Sequence, residues 1–400
     1  MKRINRSLIL TASITALAAV MAGCQAAGSS VPATSTAAAS ASETSQAAVS
    51  EAETSLEELN ATANDNSKDY DESSAEVITL TGNSGTVTID RKGTYVITGS
   101  SSDGMIIVDV SKEDDVHLIL RDVSLTSRTS AAIYVLSADE VYITLEGENE
   151  LANGGTFEAI DENDIDAVIF SKDNLVINGD GTLAVNSPAG HGIAGKDDMV
   201  ISGGTIGITA AEDGINTNDS FLITNADITV SAGDDAVHTD GLLQINGGTL
   251  DLTGAEGLEG TYIIINDGDI TIEASDDGIN AAQKSEDFFP TVEINGGEIA
   301  ITMGPGDTDG IDSNGNLFIN GGTVSISGQS SCDYDGTAEL NGGTLIINGQ
   351  QADSIPNQMM GGRGGMNPGM DGDMAGGMTP GMDGGMNGGM GPGRGGMGPR

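Results

Sequence analysis

The sequence lacks tryptophan, has only 3% aromatic residues, and contains two cysteines and 15 basic residues in 400. An ordinary globular core of this length would use large aromatic side chains. Aliphatic residues spread evenly along the chain instead favour one elongated domain with a thin core of many short strands. With 60 acidic residues and a net charge of −45, the composition argues against nucleic acid as a partner, because phosphate binding requires clustered Lys and Arg. The acid excess indicates bound cations, high solubility, or both.

The first 24 residues have the pattern of a targeting segment. Lys2, Arg3 and Arg6 precede an apolar run over residues 8–20 that is too short to span a bilayer comfortably. The following Met-Ala-Gly-Cys24 resembles the lipobox of bacterial lipoproteins. It predicts a lipid anchor at Cys24 and an extracytoplasmic, membrane-attached or cell-surface location. The alternative is an ordinary signal peptide with a chance cysteine. If Cys24 carries lipid, Cys332 has no cysteine left to pair with.

Two segments of biased composition flank the middle of the chain. Residues 25–75 are rich in Ala, Ser, Thr and Glu and poor in large apolar side chains, which predicts a disordered linker. Residues 351–400 are mostly Gly, Met, Pro and Asp in near-repeats, which predicts a disordered tail. Methionine-rich tails bind soft copper ions in some proteins, but the many glycines favour plain low complexity here.

Residues 76–350 are repetitive. Asn-Gly and related turns recur, mostly every 20–25 residues, and aliphatic residues alternate with polar ones on both sides of each turn, which indicates short strands. No helical pattern lies between the strands. This arrangement predicts an all-β fold, a right-handed parallel β-helix (solenoid) of about ten coils stacked about 4.8 Å apart. The turns are at Asn178-Gly179, Ser202-Gly203-Gly204, Asn225-Ala226, Asn246-Gly247-Gly248, Asn266-Asp267-Gly268, Asn295-Gly296-Gly297, Asn320-Gly321-Gly322 and Asn341-Gly342-Gly343.

A second motif consists of an acid, usually glycine, an aliphatic residue and a polar residue. The aliphatic residue is expected to point inward and the polar residue outward, so that equivalent residues of successive coils form columns. The five copies are Asp213-Gly214-Ile215-Asn216, Asp235-Ala236-Val237-His238, Glu256-Gly257-Leu258-Glu259, Asp277-Gly278-Ile279-Asn280 and Asp309-Gly310-Ile311-Asp312.

Stacked carboxylates repel one another. At about 5 Å and an effective dielectric constant of about 20, each neighbouring pair costs roughly 3 kcal/mol. Raised pKa values would relieve part of this cost, and calcium, which prefers carboxylate and amide oxygens, would relieve more. The alternative is a solvated column of acidic turns, because Asp and Gly suit tight corners. The predicted calcium ligands are Asp213, Asn216, Asp234, Asp235, Glu256, Glu259, Asp276, Asp277, Asn280, Asp307, Asp309 and Asp312.

These motifs, with Phe170-Ser-Lys-Asp-Asn-Leu and Gly195-Lys-Asp-Asp, carry a family resemblance over nearly all of residues 76–350. The chain resembles the clostridial carbohydrate-binding β-helix surface proteins. That resemblance implies a calcium-containing right-handed parallel β-helix that binds cellulose or pectin-like polygalacturonate, similar in fold to the family 9 polysaccharide lyases. Those lyases use an Asp-Asp-Gly-Ile-Asp calcium cluster and a lysine base. Asp309-Gly-Ile-Asp312 matches most of the cluster, but no lysine lies on a predicted column, and dense carboxylates would raise a lysine pKa.

One coil is longer than the others. From Asp277 to Asp309 the motif spacing is 32 residues, and the insertion carries Lys284, Phe288 and Phe289. Sugar rings stack on aromatic faces, so these three residues are the predicted glycan contacts, although the two phenylalanines could instead pack back over the coil edge. The sequence therefore predicts a monomeric, calcium-dependent polysaccharide-binding surface lipoprotein. A calcium-dependent polysaccharide (pectate) lyase and a ligand-free structural adhesin or spacer are the alternatives.

Overall fold

The computed structural model of the chain describes residues 35–66, 70, 73–306 and 308–358. The predicted lipidation site at Cys24, the predicted ligand Asp307 and residues 359–400 of the predicted tail lie outside these ranges. Within them the chain forms one helix followed by 33 strands.

The alternating aliphatic segments form strands, as the periodicity predicts. The first strands are β1 (Glu76–Leu80), β2 (Gly85–Ile89), β3 (Gly93–Ser101), β4 (Gly104–Asp109), β5 (Val116–Ser127), β6 (Ile133–Ser137), β7 (Glu140–Glu146), β8 (Glu148–Asn153), β9 (Ala167–Ser171), β10 (Asn174–Gly179) and β11 (Thr182–Ser187). The middle strands are β12 (His191–Gly195), β13 (Met199–Ile201), β14 (Thr205–Ala210), β15 (Ile215–Thr217), β16 (Phe221–Ile223), β17 (Asp227–Ser231), β18 (Val237–Thr239), β19 (Leu242–Ile245), β20 (Thr249–Gly254), β21 (Leu258–Gly260) and β22 (Tyr262–Ile265). The last strands are β23 (Asp269–Ala274), β24 (Ile279–Ala281), β25 (Thr291–Ile294), β26 (Glu298–Met303), β27 (Ile311–Ser313), β28 (Asn316–Ile319), β29 (Thr323–Ser327), β30 (Cys332–Tyr334), β31 (Ala338–Leu340), β32 (Thr344–Ile347) and β33 (Gln350–Ala352).

Every strand before β33 pairs in parallel with its equivalents in the neighbouring coils, which makes the fold a parallel β-helix. One 22-stranded sheet contains two faces of the coil, and a separate 11-stranded sheet, the motif sheet, forms the third. The first face stacks twelve strands, from β1 through β3, β5 and β7 to β31, against the expected ten or so. Residues 76–166, whose corners are less regular than those of the later repeats, supply the first four of these strands.

The core is a continuous column of aliphatic side chains inside the coils. It runs from Leu80 to Ile355 and is almost entirely Ile, Leu and Val. Full burial of each such side chain contributes about 1.5–3 kcal/mol. Because each coil buries its inward residues against the coils on either side, the stack is stabilised by repetition of one interface.

Asparagine side chains reinforce one corner of the stack. Each asparagine after the first donates a hydrogen bond from its Nδ2 to the Oδ1 of the equivalent asparagine in the preceding coil, at 2.8–3.0 Å. Because both partners come from the same repeat position, the ladder holds adjacent coils in register. The ladder consists of Asn246, Asn266, Asn295, Asn320 and Asn341.

The predicted disordered linker is wrong over most of its length, because residues Ser35–Asn66 form helix α1. Val49, Leu56 and Leu59 on α1 are buried, and half-buried Ala52 packs with them. These residues are spaced at i, i+3, i+7 and i+10, which places them on one side of a helix. They cover an apolar column on the outer side of the first face. This column gives α1 the buried contact that its own composition does not supply. Among the described residues no helix has the length and hydropathy needed to cross a membrane.

The folded unit extends beyond residue 350, so the predicted start of the tail is too early. Strand β33 turns back and pairs antiparallel with β32, and the segment after it returns to the motif sheet. There the side-chain Oε1 of Gln358 accepts hydrogen bonds from both the backbone N and the Oγ of Ser331. Residues 351–358 therefore cap the last coil.

Candidate functional site

The motif sheet positions the five acid-aliphatic motifs. Its register places the five motif aliphatic residues in one inward line, as predicted, and all five are fully buried. Glycine precedes most of them because there is no room for a side chain at that position. A Cβ at Gly278 would lie 2.4 Å from Ile301 Cγ2 and 2.5 Å from the Gly310 carbonyl oxygen. The aliphatic line consists of Ile215, Val237, Leu258, Ile279 and Ile311.

The polar residues of the motifs form the predicted outward column in adjacent coils. The column is only partly exposed, since Glu259 and Asn280 are buried. Its members in order are Asn216, His238, Glu259, Asn280, Asp312 and Asp333.

The first acid of three of the five motifs also has a structural role that sequence reasoning missed. Asp213 Oδ1 accepts the backbone N–H of Asp235 at 3.1 Å, and Asp235 Oδ1 accepts that of Glu256 at 3.2 Å. Asp277 Oδ1 accepts the N–H of Asp309 at 2.8 Å across the long coil. One oxygen of each of these carboxylates therefore connects successive coils. The signal was present in the recurrence of one such acid in each coil.

An open cleft lies on the motif sheet where the column is most acidic. We call it the acidic cleft. Two overlapping groups of possible metal ligands lie in it, Asp213–Asp234–Asp235 and Asp235–His238–Glu259, and within each group one ligand atom per residue lies within 4.8 Å of the others. The cleft is lined by Asp213, Asp234, Asp235, His238, Ala255, Glu256, Glu259, Asp276 and Lys284.

Two basic side chains of the protein enter the acidic cleft. His238 Nδ1 lies 2.5 Å from Glu259 Oε2 and 3.5 Å from Asp235 Oδ2. Lys284 Nζ lies 2.6 Å from Glu259 Oε1. Burial lowers the pKa of His238, but hydrogen bonds to Asp235 and Glu259 outweigh it and raise that pKa to about 10. At Glu259, hydrogen bonds with His238 and Lys284 outweigh burial and lower the pKa. The protein's own cations therefore neutralise part of the cleft.

Two other acids on the motif sheet have raised pKa values instead. Burial, followed by repulsion from Glu259 and Asp235, raises the pKa of Glu256 to about 8. Asn280 Nδ2 donates to both carboxyl oxygens of Glu256, at 3.0 and 3.1 Å. Farther along, burial and the charges of Asp277, Asp333 and Asp309 raise the pKa of Asp312 to about 7. The expected repulsion between stacked carboxylates is thus present at both positions.

The predicted metal ligands are only partly brought together in the two predicted sets. The first set, Asp213 and Asn216 with Asp234 and Asp235, is assembled, and Asn216 Nδ2 donates to Asp213 Oδ2 at 2.7 Å. Asp276 was predicted in the second set but lines the acidic cleft with the first. The remaining described members of the second set, Asp277, Asn280, Asp309 and Asp312, occupy adjacent coils.

The predicted glycan contacts separate in the structure. Lys284 reaches back into the acidic cleft. Phe288 is half-buried and packs against the apolar cluster under α1, which is the second of the two arrangements weighed for it. Phe289 remains 42% exposed.

Comparisons with known proteins agree with the resemblance seen in the sequence. A family model described as carbohydrate-binding domain-containing protein matches residues 83–354. A carbohydrate-binding domain-containing protein of Acetivibrio thermocellus is 37% identical over 107 residues, which cover 26% of this chain and 37% of the relative's length. A solved structure described as a polysaccharide lyase-like protein from C. thermocellum, a gadolinium derivative, is similar with 28% identity and a TM-score of 0.43, over 68% of this chain and 96% of that one. Because the family model matches well over half of its residues, this chain belongs to the carbohydrate-binding domain-containing protein family.

Proposed function

We propose that the acidic cleft binds calcium through Asp213, Asp234 and Asp235 and that the bound ion contacts the carboxylates or hydroxyls of a polysaccharide. The proposal is carried by the spacing of these three carboxylates, whose ligand atoms lie within 4.8 Å of one another. Calcium takes six to eight oxygen ligands, so three carboxylates leave positions for water and sugar oxygens.

The net charge of the protein supports a requirement for a cation. A chain of net charge −45 repels a polyuronate unless cations intervene. A bound calcium ion reverses that sign locally, and exposed Phe289 on the neighbouring insertion offers an aromatic face to a sugar ring. Acidic, pectin-like polysaccharide is therefore the favoured ligand, and neutral cellulose is the alternative ligand.

Calorimetry with polygalacturonate and with a soluble glucan, in calcium and in EDTA, tests this function. We expect polygalacturonate binding in calcium and at least a ten-fold loss of affinity in EDTA. Asp234→Asn with Asp235→Asn should cause a similar loss. The matched control is Asp251→Asn with Asp269→Asn, two exposed acids on another face. Binding that is the same in EDTA would refute the calcium mechanism. If no glycan on an array binds the protein, the structural adhesin or spacer is favoured.

We propose a second cation position at the coil junction of Asp277, Asn280, Asp309 and Asp312. Calcium bound only to the folded protein raises its melting temperature by mass action, whereas screening of a solvated column acts equally for any salt at one ionic strength. Melting temperature should therefore rise more with calcium than with sodium chloride at matched ionic strength. Asp277→Ala and Asp309→Ala should each reduce that difference. Equal titration curves would exclude specific calcium sites.

A lyase activity is the second candidate, favoured by one observation: Lys284 lies in the cleft beside the carboxylates. A general base must be unprotonated. Burial lowers the pKa of Lys284, but the contact with Glu259 outweighs it and raises that pKa. The ammonium form is thus favoured, and we expect no unsaturated, ultraviolet-absorbing product from polygalacturonate. If the wild-type protein does form this product and Lys284→Gln does not, the protein is a lyase.

We propose that the chain is attached to the extracytoplasmic side of a membrane through lipid at Cys24 and acts as a monomer. The Met-Ala-Gly-Cys24 sequence supports the attachment. Cys24→Ser should release the protein from membranes or leave it uncleaved, as read by fractionation and electrophoretic mobility. Unchanged membrane retention would contradict the anchor, and sedimentation at two concentrations tests the monomer.

A further inference from the structure

Helix α1 is docked on an apolar strip along the first face of the β-helix. Outward residues in adjacent coils stack there in the order Tyr142, Val176, Val200 and Leu222, all fully buried. Val49, Leu56 and Leu59 of α1 form one cluster with them. Ser55 Oγ on α1 also donates to Asp198 Oδ2 at 2.8 Å.

The same helix contacts the insertion of the long coil. The backbone N–H of Phe289 donates to Ser45 Oγ of α1 at 2.9 Å. Phe288 packs on the apolar cluster that α1 covers, beside Leu242, Tyr262 and Ile264. The insertion and the helix therefore share one packing surface.

Further hydrogen bonds connect this contact to Lys284. Gln283 Nε2 donates to the Phe288 carbonyl oxygen at 2.9 Å. The backbone N–H groups of Lys284 and Ser285 both donate to Thr261 Oγ1 at 2.9 Å. The backbone of the insertion is thus fixed at both ends, which directs the Lys284 side chain to Glu259 in the acidic cleft.

We propose that α1 clamps this insertion so that the Lys284 ammonium serves as a resident cation of the acidic cleft and competes with divalent cations. Lys284 forms an ion pair with Glu259, a member of the second group of possible metal ligands. It thereby places a positive charge beside the proposed calcium position. Release of α1 frees the insertion, withdraws the ammonium and raises the affinity for calcium. The competition rests on the proposed calcium function, whereas the clamp itself does not.

The competition is tested by calcium titration calorimetry of the full chain. Lys284→Met should tighten calcium binding at least ten-fold, because it removes both the occupant of Glu259 and a like charge near the ion. The control is Lys196→Met, an exposed lysine elsewhere on the same sheet edge. Unchanged or weaker binding in Lys284→Met, with wild-type binding intact, overturns the competition. Absence of calcium binding in both proteins overturns the proposed calcium function instead.

The clamp is tested separately by trypsin, without any metal. Lys284 is the only lysine or arginine between residues 197 and 358, so cleavage there gives one diagnostic fragment. Leu56→Asp, which places a charge in the buried face of α1, should accelerate cleavage after Lys284 at least ten-fold. Ser50→Asp, on the exposed face, should not. Ser45→Ala, which removes only the hydrogen bond to Phe289, should give a smaller acceleration. Equal rates in Leu56→Asp and Ser50→Asp overturn the clamp, and circular dichroism verifies that the β-helix remains folded.

Discussion

The outward column of the motif sheet changes character halfway along its length. In the first coils it carries Ile107, Tyr134, Phe170 and Ala194, and in later coils it continues through Asn216 and His238 to the acids. The loop over residues 154–166 covers the first half: Ile165 is buried and Phe157 packs on the aromatic pair Tyr134 and Phe170. Within the described chain no such loop covers the acidic cleft, and the cleft is open.

The comparison separates what the backbone provides from what the side chains decide. Both halves have the same parallel ladder and the same inward aliphatic line. The covered half uses its outward positions for apolar packing and adds stability. The open half holds like charges next to one another, and relief of that repulsion comes from protons, from His238 and Lys284, and, as we propose, from calcium.

The largest effect is expected from breaking the covered half. Phe170 is fully buried, so Phe170→Ala should lower the free energy of unfolding by about 3–5 kcal/mol through lost transfer and an unfilled cavity. Phe170→Asp, which puts an acid like those of the open half into the covered half, should cost more, because a charged group replaces the ring inside a closed apolar cluster. Denaturant unfolding measures both. A loss below about 1 kcal/mol in Phe170→Ala would mean that the loop does not seal this half.

An intermediate effect is expected from pH in the open half. Glu256 and Asp312 have pKa values raised from ordinary carboxyl values to about 8 and about 7. At these two groups the folded state binds more protons than the unfolded state, so their contribution to stability is complete below about pH 4 and is lost as pH rises through about 7 and about 8. His238, with its pKa raised from the ordinary value to about 10, gives the same sign: its contribution is complete below about pH 6.5 and is lost as pH rises through 10.

The free energy of unfolding in EDTA should therefore fall between pH 5 and pH 9, by an amount on the order of 1–2 kcal/mol for each of the two carboxyls after solvent screening. Glu256→Gln and Asp312→Asn should each flatten the profile. Glu150→Gln, an exposed acid on another face, is the control. A profile that is equally steep in all three variants would place the pH dependence elsewhere.

A smaller effect is expected at the edge of the covered half. The Tyr134 hydroxyl donates to Asp161 Oδ2 at 2.7 Å and accepts from Asn163 Nδ2 at 2.8 Å, which fastens the covering loop. Tyr134→Phe keeps the ring and should cost about 0.5–1.5 kcal/mol. Hydrogen exchange should show faster opening confined to residues 154–166. Faster exchange spread through the coils would contradict a local role.

The sequence predicted the coil well because its signal is repetitive. Alternation of aliphatic residues and evenly spaced glycine corners placed Ile215 to Ile311 in one inward line, and the structure confirms that line. The family resemblance is likewise confirmed. Calcium, the lipid anchor and the ligand stay predictions.

The parts that the sequence did not predict depend on contacts between distant segments. Val49, Ala52, Leu56 and Leu59 have helical spacing, but Ala, Ser and Glu dilute it, and the stabilising partner is a column more than 80 residues away in the chain. Lys284 lies in an irregular insertion, so no period predicts its return to Glu259. The N–H groups that Asp213 and Asp235 accept belong to the next coil, so the bonds exist only once coils stack.

The reversed strand at the end of the chain has a consequence for association. A parallel ladder ends in unpaired N–H and C=O groups that can template a strand of another molecule. Here β33 folds back antiparallel on β32 and takes up those groups itself. On this face a second copy meets a three-residue edge strand that runs against the ladder, so the parallel rung cannot simply be continued from one molecule to the next.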